Sequence, residues 1–232
     1  MTKYFGPIWG EPPPDFPTAG LETAYRECID LMGAQTPPVL FMGQGLKGIA
    51  YRFRALAEYD EIFTESFIMQ GSAPPLDDHF RQETALFGFF TTGLSCLESL
   101  FFAMHAMASH YESQTFRLDN DTLKNVTPQS VRCRFKQCWP NSDLTLEMND
   151  IVDSPEFKNW KDVRNILSHR GVAPRNIKVG INFPINSDWQ LEAAGVDNTN
   201  EELTQSTTGT RRAWLADHLA KMTNAFSKFC QS

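Results

Sequence analysis

A paired cysteine framework is the first thing this chain lacks. Its five cysteines, Cys28, Cys96, Cys133, Cys138 and Cys230, are odd in number and irregularly spaced, which excludes a disulfide scaffold. Cys96 lies in a strongly apolar run, where a reduced, buried thiol is the ordinary reading. Cys133 and Cys138 have no matching second pair, so no zinc site is expected. The start, Met1 to Pro7, holds no continuous apolar stretch and is not read as a signal peptide. The expected compartment is reducing cytoplasm. Excess positive charge is also missing: 21 Lys and Arg stand against 28 Asp and Glu, for a formal net charge of -7. Such a chain repels a phosphate backbone at long range, so a nucleic-acid ligand needs a local basic surface. No repeat, low-complexity tract or obvious domain boundary is visible, and no cofactor or metal cluster is suggested.

Aromatic residues are abundant. The 18 Phe in 232 residues imply a core built on ring packing, and the 41% hydrophobic and 21% charged composition is that of a globular chain. Residues 1–17 carry five prolines, with Phe5 ahead of the first and Trp9 between the first two. They read as an extended arm pinned by its aromatics. Residues 18–232 then read as a single helical domain. Helices are predicted over 19–33, ended by Gly33, and from about Leu46 to Met69, after a break at Pro37-Pro38. The longest and most apolar runs from about Asp78 to Glu112. It is expected to be a core helix rather than a membrane span, because Glu98 falls near its middle and no basic flank sets an orientation. A shorter helix follows the Thr127-Pro128 cap and stops at Trp139-Pro140. Another opens at Ser154-Pro155-Glu156 and ends at Gly171. Alternation over Asn176–Asn182, with Trp189 to Leu191 as its partner, suggests a small hairpin insert within 176–195. Residues 197–209 read as loop, and a last helix covers about Thr210 to Phe229. The expected class is all-α, a helical bundle with a small β-hairpin in the C-terminal third.

The helix opened by Pro155 has two distinct faces. At about 100° per residue, Trp160, Val163, Ile166 and Leu167 fill one arc. Arg164, Ser168, Lys161, Asn165, His169 and Asp162 fill the other in that order. Asp162, Asn165 or Ser168 is placed to hold the His169 imidazole in one tautomer. From Lys158 to Lys178 the basic residues are Lys158, Lys161, Arg164, Arg170, Arg175 and Lys178, and the one acid is Asp162. This is the local surface an anionic ligand needs. The plainer reading is a helix C-terminus whose Arg and His favour the dipole and free carbonyls.

The run Arg164-Asn165-x-x-x-His169, followed by Arg170-Gly171 late in a helical chain, resembles the HEPN superfamily. That motif is an arginine, a polar residue, a few more residues and a histidine. The likeness covers about residues 155–171; the arm and the hairpin lie outside the shared pattern. It implies a helical bundle and a metal-independent endoribonuclease of the toxin or defence kind, acting on RNA as a homodimer, with an antitoxin as one kind of protein partner. In that likeness His169 is the general acid or base, Arg164 binds the phosphate, and Asn165 positions the phosphate or the histidine. Lys161, Ser168, Arg170 and Arg175 would contact substrate, and Glu98 and Asp162 would support the site. Non-catalytic members that bind RNA or protein, and a helical interaction protein whose Arg and His only cap a helix, are the alternatives.

Two further patterns compete. Thr84, Gly88, Thr91, Ser95, Glu98 and His105 form a small and polar stripe along the apolar helix. It reads either as close helix packing with Glu98 paired to an Arg, or as Glu98 facing the Arg164/His169 helix. Gly43-Gln44-Gly45-Leu46-Lys47-Gly48 matches a dinucleotide fingerprint, but Pro37-Pro38 crowds the strand it needs and no β-α unit follows. It is read as a loop entering a helix. Ser95 and Ser99 lack a nucleophile elbow, and His105 and His110 read as packed or solvated side chains.

Overall fold

The computed structural model describes residues 11–169, 175–180, 183–190 and 200–231. The fold is mostly helical, with eight helices and one three-stranded antiparallel sheet among the described residues. α1 spans Thr18–Met32 and ends as expected at Gly33, whose φ of 85° suits a residue without Cβ. α2 spans Pro37–Gln70, so Pro37-Pro38 starts the helix instead of breaking the chain. Proline's fixed φ suits the first turn, and its missing N–H would have had no partner there. The Gly43–Gly48 run is therefore helical, not a loop entering a helix. Gly45 lets α2 approach closely: a Cβ there would stand 2.9 Å from Cβ of Ala103 and 3.0 Å from the Ser99 carbonyl oxygen.

α3, Leu76–Ala108, begins with Asp77 and Asp78 in its first turn, where carboxylates favour the helix dipole. It is the one helix among the described residues long and apolar enough to cross a membrane, and 61% of its apolar window is buried inside the protein. Two short helices escaped the sequence reading: α4, Asn120–Leu123, capped by Asp119, and α6, Asp143–Val152, capped by Ser142. Between them lies α5, Pro128–Cys138, with a capping box between Thr127 and Ser130. α7 is Pro155–His169. The hairpin is Arg175–Gly180 (β1) and Phe183–Gln190 (β2), with Arg175 opposite Trp189. A third strand, Asn200–Leu203 (β3), pairs with β2 where a loop was expected. α8 spans Thr207–Gln231.

Contacts divide the chain into two compact units. The first takes the described parts of Met1–Arg54, Ser95–Ser154 and Leu215–Ser232; the second takes Ala55–Leu94 and Pro155–Trp214. Three of the four divisions fall inside α2, α3 and α8, and the fourth, at Ser154/Pro155, lies in the turn between α6 and α7.

In the first unit, rings dominate the packing. Phe116 stacks on Trp139 at 5.6 Å between centroids, and Phe229 meets Trp139 edge-on at 5.0 Å. Phe5 and Trp9, expected to pin the arm, lie outside the described residues. Phe16, just after them, is buried on Phe53 at 5.3 Å. The Cys28 and Cys230 thiols touch at 3.2 Å, both buried and unbridged. His105 is buried with Nε2 3.0 Å from the Arg117 carbonyl oxygen and Nδ1 3.1 Å from the Arg134 guanidinium. Arg134 can only donate, so Nδ1 accepts and Nε2 carries the proton.

In the second unit, Trp160 of α7 is the central ring. It stacks on Phe89 at 5.6 Å, meets Phe90 edge-on at 6.2 Å and Trp214 at 5.9 Å. Trp189 of β2 is also buried and packs on Phe90 at 5.8 Å.

Candidate functional site

α7 is fixed by its apolar face. Phe157, Trp160, Val163 and Ile166 are buried, while Lys158, Lys161, Ser168 and His169 are exposed. Asn159, Asp162, Arg164, Asn165 and Leu167 are half-buried. The helical period thus puts Asn165, Ser168 and His169 outward, with Arg164 at the border of the packed face. Arg164 and His169 are about 140° apart around the axis and about 9 Å apart between Cα atoms. A guanidinium on its long stem can span most of that gap to a shared phosphate. Arg164 is already engaged by an interaction of its own, so it is a held cation rather than a loose one.

The surrounding charges are largely neutralised. Lys158 donates to Asp162 at 3.0 Å, one turn along α7, so that carboxylate serves Lys158. Lys178 is paired with the buried Asp188. Arg175, expected among the substrate-binding cations, has a side chain that is 1% exposed. It donates to Gln82 Oε1 at 2.8 Å and Ser187 Oγ at 3.2 Å, and stands 3.6 Å from Glu83. A buried guanidinium needs such partners, and they lie on α3 and β2, where a local charge count cannot see them. Arg170 lies outside the described residues. Glu98 belongs to the first unit. There it lines a pocket of about 340 Å³ with Gln44, Arg52, Ser95, Ser99 and neighbouring residues.

A second group in the α7 unit was not anticipated. Glu83 on α3 accepts from Trp189 Nε1 at 3.0 and 3.2 Å and from His79 Nε2 at 3.4 Å. Burial pushes the Glu83 carboxyl above the ordinary carboxylate range, against the opposing pull of Arg175 and the hydrogen bonds from Trp189 and His79. His79 and Glu83 border a cavity of about 360 Å³ whose other walls are Leu76, Phe80, Thr84, Phe87 and Leu167 of α7. The one sequence signal was the apolar spacing of Leu76, Phe80 and Phe87, which the core reading of this helix absorbed.

No family model, curated protein or solved structure matches the chain. The chemistry on offer is therefore read from α7 itself. It presents an imidazole, a guanidinium fork suited to phosphate oxygens, and an amide between them.

Proposed function

We propose that α7 carries the active site of an HEPN-like, metal-independent endoribonuclease. The observation that supports this most is the division of one helix: Trp160 anchors it in the second unit while Asn165, Ser168 and His169 stand outward beside a held Arg164. In this reading His169 removes the proton from a ribose 2′-OH. The 2′-oxygen then bonds to the adjacent phosphorus as the bond to the 5′-oxygen breaks. The products are a 2′,3′-cyclic phosphate and, once the leaving oxygen takes a proton, a 5′-hydroxyl. Arg164 binds the phosphate and stabilises the charge that develops on it, and Asn165 orients the phosphate or the imidazole. Two copies acting together would present two such helices to one RNA strand, and an antitoxin-like protein would be the partner that restrains them.

The test is cleavage of a labelled RNA pool in excess EDTA by wild type, Arg164→Ala and His169→Ala, with folding checked by circular dichroism. Wild type should leave cyclic phosphate ends. Loss of the acid–base group should cost about 10²–10⁴-fold in rate. Salt-dependent binding without cleavage, weakened by Arg164→Ala, would make the domain an RNA binder instead. Neither cleavage nor binding would leave the motif as a helix end in an interaction protein.

A further inference from the structure

We propose that the groove between the first half of α3 and the end of α7 is a nucleobase pocket, which takes an unpaired base of a single-stranded RNA against Phe80 and Phe87 with its polar edge toward His79. This deepens the reading of α7 as RNA-facing, and rests on it.

The first argument is exposure. Leu76 is 82% exposed, Phe80 73% and Phe87 44%, on a helix whose other faces build the core. Spacings of four and seven put all three on one face. Large apolar side chains gathered at a concave surface mark a binding site more often than chance exposure does. Bases of any sequence stack on such rings.

The second argument is the polar wall. A purely apolar partner would gain nothing from His79 and Glu83 at the cavity. Glu83 is held by the indole N–H of Trp189 on both oxygens and by His79 Nε2. With Nε2 turned to Glu83, Nδ1 is the ring's other polar atom, and it is the one a base edge can meet. The pair is preorganised from below, because Arg175 braces both Glu83 and Gln82, and Gln82 in turn donates to the Gly71 carbonyl at 3.3 Å.

The third argument is position. Leu167, which closes the cavity, is three residues beyond Arg164 on α7, so the two side chains are neighbours on the helix surface. A phosphate held at Arg164 would stand one helical turn from the Leu167 wall of the cavity. The volume of about 360 Å³ lies within the range of small-ligand sites.

The experiment uses a 2′-O-methyl RNA octamer, which cannot be cut by 2′-OH attack, and the same octamer with abasic positions. Fluorescence anisotropy gives Kd for wild type, Phe80→Ala, His79→Ala and Arg164→Ala, and light scattering gives the oligomeric state. Phe80 is mostly exposed, so its truncation leaves the core intact. Phe80→Ala should weaken binding of the intact octamer roughly tenfold or more and leave the abasic octamer unchanged. His79→Ala should alter the ranking of Kd among 2′-O-methyl octamers built from each of the four bases. If Phe80→Ala binds intact and abasic RNA as wild type does, the pocket is overturned, whatever the cleavage assay shows. If Phe80→Ala instead splits an oligomer with RNA affinity unchanged, the face is a contact between copies and the proposal is equally overturned. Phe80-dependent binding of intact RNA by a protein that never cuts would keep the pocket and dispose of the nuclease.

Discussion

Gly93 is where a single methyl should do most to α7. A Cβ at this position falls 2.2 Å from Cζ2 and 2.6 Å from Cε2 of Trp160, and 2.9 Å from Cδ1 of Leu56. Something must move. Trp160 is 1% exposed and is walled by Phe89, Phe90 and Trp214, so the indole has no open side to turn into. Two effects oppose each other in Gly93→Ala. Alanine favours a helix interior over glycine by about 1 kcal/mol. Overpacking a filled core costs about 1–3 kcal/mol. The clash should win here, because the obstacle is a rigid ring rather than the end of a flexible chain. With the clash at the upper end of that range, a net loss of about 1–2 kcal/mol corresponds to a fall in Tm of about 2–8 °C for a chain of this size. Thermal and urea unfolding followed by circular dichroism would measure it. Gly88→Ala is the control. Its Cβ would meet the Tyr59 ring at 2.4 Å, but Tyr59 is half-buried and can swing toward solvent, so the loss should be smaller. If Gly93→Ala is as stable as wild type, or gains the helix-propensity increment, α7 is not seated on α3 as tightly as described. Trp160 would then not be what fixes the motif.

Two other expectations follow from buried polar groups. His105 is held below the ordinary histidine pKa, chiefly by burial and further by the Arg134 charge, against the pull of its bond to the Arg117 carbonyl. The folded protein thus resists a proton that the unfolded chain accepts below about pH 6.5. Its contribution to stability is complete above that pH and is lost as pH falls through the lower folded value. His105→Gln should flatten this limb of a stability–pH curve, and an unchanged limb would show that His105 is not responsible. Arg175→Met should cost about 1–3 kcal/mol, because Gln82 and Ser187 lose their donor and Glu83 loses its guanidinium neighbour. The double variant Arg175→Met/Glu83→Gln should recover much of that loss, and strictly additive losses in urea unfolding would refute the pairing.

What the sequence revealed was whatever repeats along one element. The faces of α7 were legible because Trp160, Val163 and Ile166 recur at helical spacing, and the structure buries all three. The end of α1 was legible because Gly33 supplies a conformation few residues adopt. Features that depend on distant segments were not. Pro37-Pro38 has the same composition whether it breaks a chain or begins a helix. β3, Asn-Glu-Glu-Leu, is too polar to read as a strand, and its pairing with β2 is not visible along the chain. Arg175 counted as surface charge because its partners, Gln82 and Glu83, lie more than ninety residues away.

That last error changes what α7 would offer to an RNA strand. Six cations between 158 and 178 suggested a basic surface acting at long range. Lys158 and Lys178 are ion-paired, Arg175 is buried, and Arg170 is not described. Of the six, Lys161 is exposed, and Arg164 is half-buried with an interaction of its own. On a chain of net charge -7, two cations and a histidine are a small electrostatic attraction. Affinity would have to come at short range, from a fork on one phosphate and from surface that is not charged at all. Leu167 joins those two requirements, because it stands one turn from Arg164 and forms a wall of the cavity that Phe80 and Phe87 open to solvent.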